Sequence, residues 1–166
     1  MMKSSHKKFI IISVIVLLVG VIGSFNPLTN QVLTIIYAHK AGLDKGIYYR
    51  QIKAESYFRS FAKSRKGAIG TGQVMYSTAV YVDPTVKRWQ LYLPWRNLAI
   101  SSAYMQMLLN RFKGNYSLAL AAYNWGETNV SEKLREQNIT IETDKNYIDL
   151  FVNVRETHGY LTKILR

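Results

Sequence analysis

The stretch AESYFRSFAKSRKGAIGTGQVMYSTA, residues 54–79, decides how the rest of the chain is interpreted. It places one carboxylate, Glu55, at the end of an apolar and amphipathic run, Gly46–Ala54, that has the pattern of a helix. A helix C-terminus disfavours a charged carboxylate, so we expect the pKa of Glu55 to be raised. A cluster of glycines follows: Gly67, Gly70 and Gly72. Because glycine lets backbone approach a ligand closely, the stretch suits chemistry that needs a proton donor beside backbone hydrogen bonds.

Blocks in this stretch and beyond it resemble those of the lytic transglycosylases, lysozyme-like enzymes that cleave bacterial peptidoglycan. They stand in the family's order: Glu55-Ser56 for E-S, Ser64 with Gly67-Ala68 for S-x-x-G-A, Gly70–Gln73 with Met75 for G-L-M-Q, Ala121–Gly126 for A-Y-N-x-G, and Glu156–Tyr160 for E-T-x-x-Y. Pro94, Asn97 and Tyr104 resemble the start of a further family helix. The resemblance runs from about Gly42 to the C-terminus, and it implies a lysozyme-like fold.

The resemblance also implies roles for individual side chains. Glu55 would be the catalytic acid, and Tyr57 and Phe58 could supply the aromatic surroundings that keep such an acid protonated. Six residues would bind the glycan: Ser64, Gln73, Met75, Tyr123, Asn124 and Tyr160. Four of the six also suit a plain structural role: a loop serine and a helix cap for Ser64 and Gln73, and a helix C-terminus for Tyr123 and Asn124. Glu156 is expected to hold a buried hydrogen bond rather than to take part in the reaction.

Several positions depart from the family pattern. They are Arg59-Ser60 for Asn-Pro, Thr71 for Leu, Gly72 for Met, Tyr76 for Pro and Ser101 for Gly. These changes concern loop shape and packing more than the acid, so they bear on substrate fit and not on the fold.

The pattern of carboxylates favours one reaction over its nearest alternative. Ordinary glycosidases pair two carboxylates, but the acids nearest Glu55 in sequence, Asp44 and Asp83, lie outside the family blocks. The resemblance therefore implies cleavage of the bond between N-acetylmuramic acid and N-acetylglucosamine with formation of a 1,6-anhydro end. Two alternatives stay open: a muramidase of the same fold that uses water, and a non-catalytic wall-binding component of an envelope machine.

The first 25 residues predict export. A basic segment, Met1–Lys8, precedes an apolar run, Phe9–Gly23, which is the order found in signal peptides and signal anchors. The run is of borderline length for a membrane span, and we favour a retained anchor over a cleaved signal. Residues 1–25 would then be a signal-anchor segment and residues 26–166 a transglycosylase domain in the periplasm. The predicted partners are peptidoglycan and the membrane.

Composition agrees with this interpretation. The formal charge of +12 implies an anionic partner, and the export leader makes nucleic acid an unsuitable one. There is no cysteine, so disulfides and thiolate sites are excluded. No spacing typical of a metal site or a phosphate-binding loop is present, and we expect no cofactor.

The predicted fold class is mainly α, of the α+β lysozyme-like kind: a single compact helical domain after an N-terminal apolar helix. Helices are expected over residues 28–41, 45–55, 73–81, 95–112, 117–125 and 130–137. Gly126 would be a left-handed cap, and residues 138–143 would form a short strand or an extended loop. Trp89, Tyr92 and Trp95 suit sugar stacking and core packing equally. The seam of a last helix would comprise Tyr147, Phe151, Val154, His158, Leu161 and Leu165.

Overall fold

A computed structural model describes residues 6, 9–14, 23 and 25–166. Most of the predicted signal-anchor segment, residues 1–25, lies outside the described residues, so the anchor stays a prediction. Within the described parts of the chain, no helix is both long enough and apolar enough to cross a membrane.

The chain from residue 25 onward folds into seven α-helices and two short 3₁₀ helices. The α-helices are α1 (Pro27–Lys40), α2 (Lys45–Ser56), α3 (Tyr76–Val82), α4 (Pro94–Arg111), α5 (Tyr116–Trp125), α6 (Glu127–Glu136) and α7 (Arg155–Leu165), and the 3₁₀ helices are Arg88–Tyr92 and Ile148–Phe151. Only isolated bridges, and no strands, occur between residues 25 and 166. The mainly α fold class is therefore confirmed.

Side-chain caps set the starts of two of the helices that carry the site, α2 and α5. The Asp44 carboxylate accepts a hydrogen bond from the backbone N–H of Ile47 at 2.7 Å and so begins α2 where the sequence predicts. The Asn115 side chain accepts from the N–H of Leu118 at 3.0 Å and begins α5. These two caps fix the helices that bring the ends of α2 and α5 together.

The main core surrounds α5, the alanine-rich helix. Every residue of α5 from Ser117 to Ala122 is buried, and α4, α6 and α7 pack around it. The small side chains of Ala119, Ala121 and Ala122 let neighbours approach closely, so α5 serves as the axis of the domain. A second, smaller cluster lies under the glycine-rich loop and comprises Ile69, Val74, Ala79, Val86, Leu91 and Ile100.

Two expected elements near the glycine-rich loop and the end of α5 differ from the structure. The helix after the glycine-rich loop begins at Tyr76 and not at Gln73, because antiparallel bridges Lys63–Ile69 and Ile69–Val74 tie this segment into a tight turn. Gln73 lies in that turn with a φ of 48°, outside helical geometry. Gly126 has a φ of 102° and a ψ of 140°, so it is a positive-φ junction between α5 and α6 but not a left-handed cap.

The C-terminal segment also differs. The predicted seam is interrupted, since a 3₁₀ helix ends at Phe151 and α7 starts only at Arg155. The buried face of α7 consists of Thr157, Tyr160, Leu161 and Ile164, so the expectation that His158 faces the core is wrong: its side chain is only partly buried. Residues 138–143 form an extended loop without strand pairing.

Candidate functional site

A groove of about 580 Å³ lies where the last turn of α2, the glycine-rich loop, the end of α5 and the face of α7 meet. The predicted acid and all six predicted glycan-binding residues line it: Glu55, Ser64, Gln73, Met75, Tyr123, Asn124 and Tyr160. These residues are separated by more than a hundred positions in the chain, so the fold assembles them. Their roles in binding or catalysis remain proposals.

Glu55 is held at the floor of this groove. The hydroxyl of Tyr160 donates a hydrogen bond to Oε1 of Glu55 at 2.6 Å. Burial raises the pKa of Glu55 to about 7, the Tyr160 hydrogen bond works in the opposite direction, and the negative charge of Glu156 adds to the rise. The expected rise in pKa is thus confirmed, but burial is its main cause and not the helix end.

The aromatic surroundings of Glu55 are not those expected from its sequence neighbours. Tyr57 is largely exposed, and Phe58 packs against Tyr49 with ring centroids 4.9 Å apart. The rings beside Glu55 belong instead to Tyr123 and Tyr160, from α5 and α7. Left-handed backbone at residues 57 and 58, with φ of 54° and 62°, turns these two side chains away from the groove.

The raised pKa of Glu55 predicts how the stability of the protein depends on pH. The folded state binds a proton at Glu55 more tightly than the unfolded state, whose reference value is 4.5. This contribution to stability is fully present below about pH 4.5 and is lost as the pH rises through about 7. Glu55→Gln lacks this loss, so we expect it to gain up to about 3 kcal/mol relative to the unsubstituted protein between those limits.

Thermal unfolding of both proteins in detergent at pH 5 and pH 8 measures this gain. We expect the Tm difference in favour of Glu55→Gln to be small at pH 5 and several degrees larger at pH 8. A Tm difference that stays constant between the two pH values would show that Glu55 does not titrate with a raised pKa.

The glycine-rich loop is clamped by a buried asparagine on α4. Asn97 accepts a hydrogen bond from the N–H of Gly72 at 2.7 Å and donates to the carbonyls of Ile69 and Leu91, each at 2.8 Å. A Cβ at Gly70 would lie 2.3 Å from the Leu91 carbonyl oxygen, and Gly70 has a φ of 78°. Only glycine fits there, and this close approach holds the loop against α4.

Two departures from the family pattern compensate for each other in space. A Cβ on Gly72 would lie 2.7 Å from both Cβ and Oγ of Ser101, so the missing side chain makes room for the serine. Ser101 in turn shares a hydrogen bond of 2.5 Å with the Tyr48 hydroxyl. The family has Met at the position of Gly72 and Gly at the position of Ser101. The two changes therefore compensate for each other, and the loop stays in place.

This coupling predicts that Gly72→Ala destabilises the protein by about 1–3 kcal/mol through overpacking. Ser101→Gly removes the opposing side chain. The change also loses the hydrogen bond to Tyr48 and lowers stability by placing a glycine inside a helix. The double variant should consequently lose less stability than the sum of the two single variants. Thermal or urea unfolding of the three variants measures the coupling, and strictly additive losses would refute it.

The predicted polar binders of the loop already have partners within it. The Ser64 hydroxyl accepts from the N–H of Ala68 at 3.0 Å, and the Gln73 amide donates to the Gly70 carbonyl at 2.9 Å. Both side chains hold the loop, as the structural interpretation requires, and both line the groove; their binding of glycan stays a prediction. Met75 lies exposed at the rim.

The A-Y-N-x-G block closes the site from the α5 side. Tyr123 donates from its hydroxyl to the Gly72 carbonyl at 2.7 Å and so connects α5 to the glycine-rich loop. Asn124 accepts through its Oδ1 from the Thr157 hydroxyl at 2.9 Å, which connects α5 to α7. Both residues keep the walls of the groove at a fixed separation.

Glu156 is not the buried structural residue that we expected. It is exposed, lines the same groove as Glu55, and forms an ion pair of 3.1 Å with Lys66. The E-T-x-x-Y block places Glu156 on the outer side of the first turn of α7, so its carboxylate points to the mouth of the groove. Asp44 caps α2 and Asp83 pairs with Arg96, and neither lines the groove.

A second groove, of about 460 Å³, continues on the other side of Glu55 and Gln73, which line both. Phe25 and Phe61 stack in its wall with centroids 5.1 Å apart. Neither residue could be predicted to line the site, because both lie outside the family blocks. Trp95 and Tyr92 pack onto this aromatic pair, whereas Trp89 lies outside both grooves.

Comparisons with known proteins agree with this geometry. The sequence profile described as "Transglycosylase SLT domain" matches residues 33–146. "Membrane-bound lytic murein transglycosylase C" of Edwardsiella ictaluri is 30% identical over 107 residues, which cover 56% of this chain and 30% of that protein. Because the profile matches more than half of the chain, the protein belongs to the transglycosylase SLT domain family.

Two solved structures share the fold. The inactive mutant of the lytic transglycosylase Slt from Pseudomonas aeruginosa superposes with a TM-score of 0.69 at 30% identity. The 70 kDa soluble lytic transglycosylase SLT70 from Escherichia coli superposes with a TM-score of 0.69 at 27% identity. Each match covers 80% of this chain but 22% of the larger enzyme. The chain thus spans less than a third of each of these relatives.

Proposed function

We propose that this protein is a peptidoglycan lytic transglycosylase that cleaves the β-1,4 bond between N-acetylmuramic acid and N-acetylglucosamine. One observation carries the proposal: a partly buried carboxyl, Glu55, with a pKa raised to about 7 lies at the junction of two grooves. A group with this pKa can give and accept a proton at neutral pH. A glycan strand lying in both grooves would cross Glu55, which suits cleavage of a bond inside a polymer.

The proposed reaction uses Glu55 twice. Protonated Glu55 donates its proton to the glycosidic oxygen, and the bond from that oxygen to C1 of N-acetylmuramic acid breaks. The acetamido oxygen of the same sugar stabilises the positive charge that develops at C1. Ionised Glu55 then accepts the proton of the C6 hydroxyl as its oxygen bonds to C1, which regenerates the acid and consumes no water.

Tyr160 would serve both steps. Its hydroxyl hydrogen bond to Oε1 stabilises the ionised carboxylate, while burial favours the protonated one. The balance of these two opposing effects keeps the pKa near 7, where neither proton transfer is strongly uphill. Tyr123 and Asn124 would hold the muramic sugar so that its C6 hydroxyl faces C1.

The rim of the groove is positively charged. Lys66, Arg155 and Lys163 line its mouth, and Lys63 lines the second groove. Carboxylates of the peptide stems on the glycan would meet these cations, and the formal charge of +12 would attract the anionic wall polymer. A protein whose leader exports it, as residues 1–25 predict, would meet this polymer in the cell envelope, on the periplasmic side of the membrane.

A muramidase of the same fold is the alternative, and one observation favours it. Glu156 lines the groove with Glu55 and could activate a water molecule, as the second carboxylate of an inverting glycosidase does. Its ion pair with Lys66 directs it to the groove mouth. We therefore place the reaction on Glu55 alone.

Digestion of purified peptidoglycan by the full-length protein in detergent tests the proposed function. We expect soluble glycan fragments that accumulate with time and protein concentration. Protein that leaves the polymer intact over a range of pH from 5 to 8 would contradict the proposal.

A further inference from the structure

The outer face of α1 is apolar and has no cover among the described residues. Leu28, Val32, Ile35 and Ile36 follow one another at helical spacing, and they are between 36% and 69% exposed. The face that α1 turns to the domain carries the buried Asn30, Thr34 and Ala38, with Leu33 and Tyr37 packed partly buried against the core. Surface helices of globular domains have one apolar stripe, which faces inward, so a second and outward stripe is unusual. We refer to the four exposed residues as the α1 stripe.

Buried hydrogen bonds fix this orientation of α1. The Asn30 amide donates to the Phe58 carbonyl at 2.7 Å and to the Ser60 hydroxyl at 2.8 Å. The Tyr49 hydroxyl donates to the Gln31 side chain at 2.8 Å. Rotating α1 until its stripe faced the domain would break these hydrogen bonds. The bonds therefore hold the stripe outward. A contiguous exposed apolar surface of this kind marks an interaction site.

The chain that precedes α1 indicates what covers the stripe. The sequence of residues 9–23 is apolar and follows a basic segment, as in a membrane-inserted leader. The N–H of Asn26 donates to the carbonyl of Gly23 at 3.1 Å, and Pro27 begins α1 directly afterwards. At most about 3.5 Å per residue separates consecutive positions, so Leu28 lies within about 20 Å of Gly23. α1 therefore starts close to the membrane surface if the leader is inserted.

We propose that the α1 stripe lies in the interfacial layer of the membrane that holds the leader, so that the domain is docked on lipid and not suspended above it. An amphipathic helix that carries an apolar stripe lies in the membrane plane in this way. His39 and Lys40, at the other end of α1, suit anionic headgroups.

This docking rests on insertion of the leader and is independent of catalysis by Glu55. It would fix the height of the two grooves above the membrane, because Phe25 and Pro27 line the second groove. The partner is the bilayer surface itself and not a second protein.

The absence of cysteine allows a clean test. A single cysteine at Val32→Cys in the full-length chain carries an environment-sensitive fluorophore, and the protein is placed in vesicles of phosphatidylethanolamine and phosphatidylglycerol. Val152→Cys is the matched control, because Val152 is 54% exposed and Val32 is 61% exposed, and Val152 lies outside α1. Leu28→Cys reports on the same stripe from one turn earlier.

We expect labels at residues 32 and 28 to emit at shorter wavelength than the label at residue 152. Lipids that carry a nitroxide near the headgroup should quench the labels at residues 32 and 28 at least threefold more than the label at residue 152. The label at residue 152 should be the one that aqueous iodide quenches. Equal iodide access at all three positions would overturn the proposal. Shielding of residue 32 without lipid quenching would also overturn it, since the leader or a second copy would then cover the stripe. The proposal would also be overturned if the protein failed to float with the vesicles. Equal lipid quenching of the label at residue 152 would overturn it as well.

Discussion

Glu55→Gln is expected to abolish nearly all cleavage of peptidoglycan while the protein stays folded. The amide keeps the size of the side chain and can still accept the hydrogen bond from Tyr160, but it can neither donate a proton to the glycosidic oxygen nor accept one from a hydroxyl. General acid catalysis alone contributes about 10²–10⁴-fold, and here one residue would serve both steps. We therefore expect turnover to fall by at least that factor.

Glu156→Gln is the matched control for this variant. It makes the same chemical change in the same groove, at an exposed carboxylate that pairs with Lys66. If Glu55 acts alone, Glu156→Gln should retain turnover within about tenfold of the unsubstituted protein. Rates of fragment release and circular dichroism spectra of the three proteins are the measurements.

The outcomes separate the hypotheses. Activity in purified Glu55→Gln near that of the unsubstituted protein would remove Glu55 from the mechanism. Loss of activity in both variants would instead favour a pair of carboxylates and hence the muramidase.

Asn97→Ala is expected to cause the largest loss of stability. The change leaves the N–H of Gly72 and the carbonyls of Ile69 and Leu91 without their partner, and Asn97 is fully buried. Each of these three unpaired buried groups costs about 1–3 kcal/mol, so the sum is on the order of 3–9 kcal/mol. The free energy of unfolding of a protein is typically about 5–15 kcal/mol, so Asn97→Ala should remove a large part of it.

Asn110→Ala is the control on the same helix. Asn110 is exposed near the end of α4 and accepts only from the side chain of Gln106. We expect it to change stability by about 0.5 kcal/mol or less. Thermal unfolding in detergent measures both variants, and a loss below about 1 kcal/mol in Asn97→Ala would show that the asparagine clamp does not hold the glycine-rich loop.

The helices could be predicted from sequence because their signals are local. Asp44 caps α2, Asn115 begins α5, and the apolar spacing of residues 95–112 defines α4 to within a residue at each end. Glu55 was found through its position in a block, and its raised pKa was expected from the helix end. The burial that mainly raises this pKa depends on the fold, which brings Tyr123 and Tyr160 beside Glu55 although they lie far away in sequence.

The errors arise where contacts between distant residues override local patterns. Gln73 follows glycines and precedes an apolar run, but bridges to Ile69 hold it in a turn. Glu156 shares a block with Tyr160, yet Lys66 draws it to the surface. The apolar spacing of α1 correctly predicts a helix but not its orientation, which buried hydrogen bonds of Asn30 decide. No single-sequence pattern contains these pairings.

The mass of the glycan ends tests the central claim most directly. Purified peptidoglycan is digested with the full-length protein, and the fragments are weighed by mass spectrometry. An intramolecular C6 hydroxyl has an effective concentration that reaches about 10⁵ M or more when it is well oriented, so it should outcompete water for C1. We predict predominantly 1,6-anhydromuramic ends, which are lighter than reducing ends by one water, about 18 Da. Predominantly reducing ends would contradict the transglycosylase assignment and make the protein a muramidase.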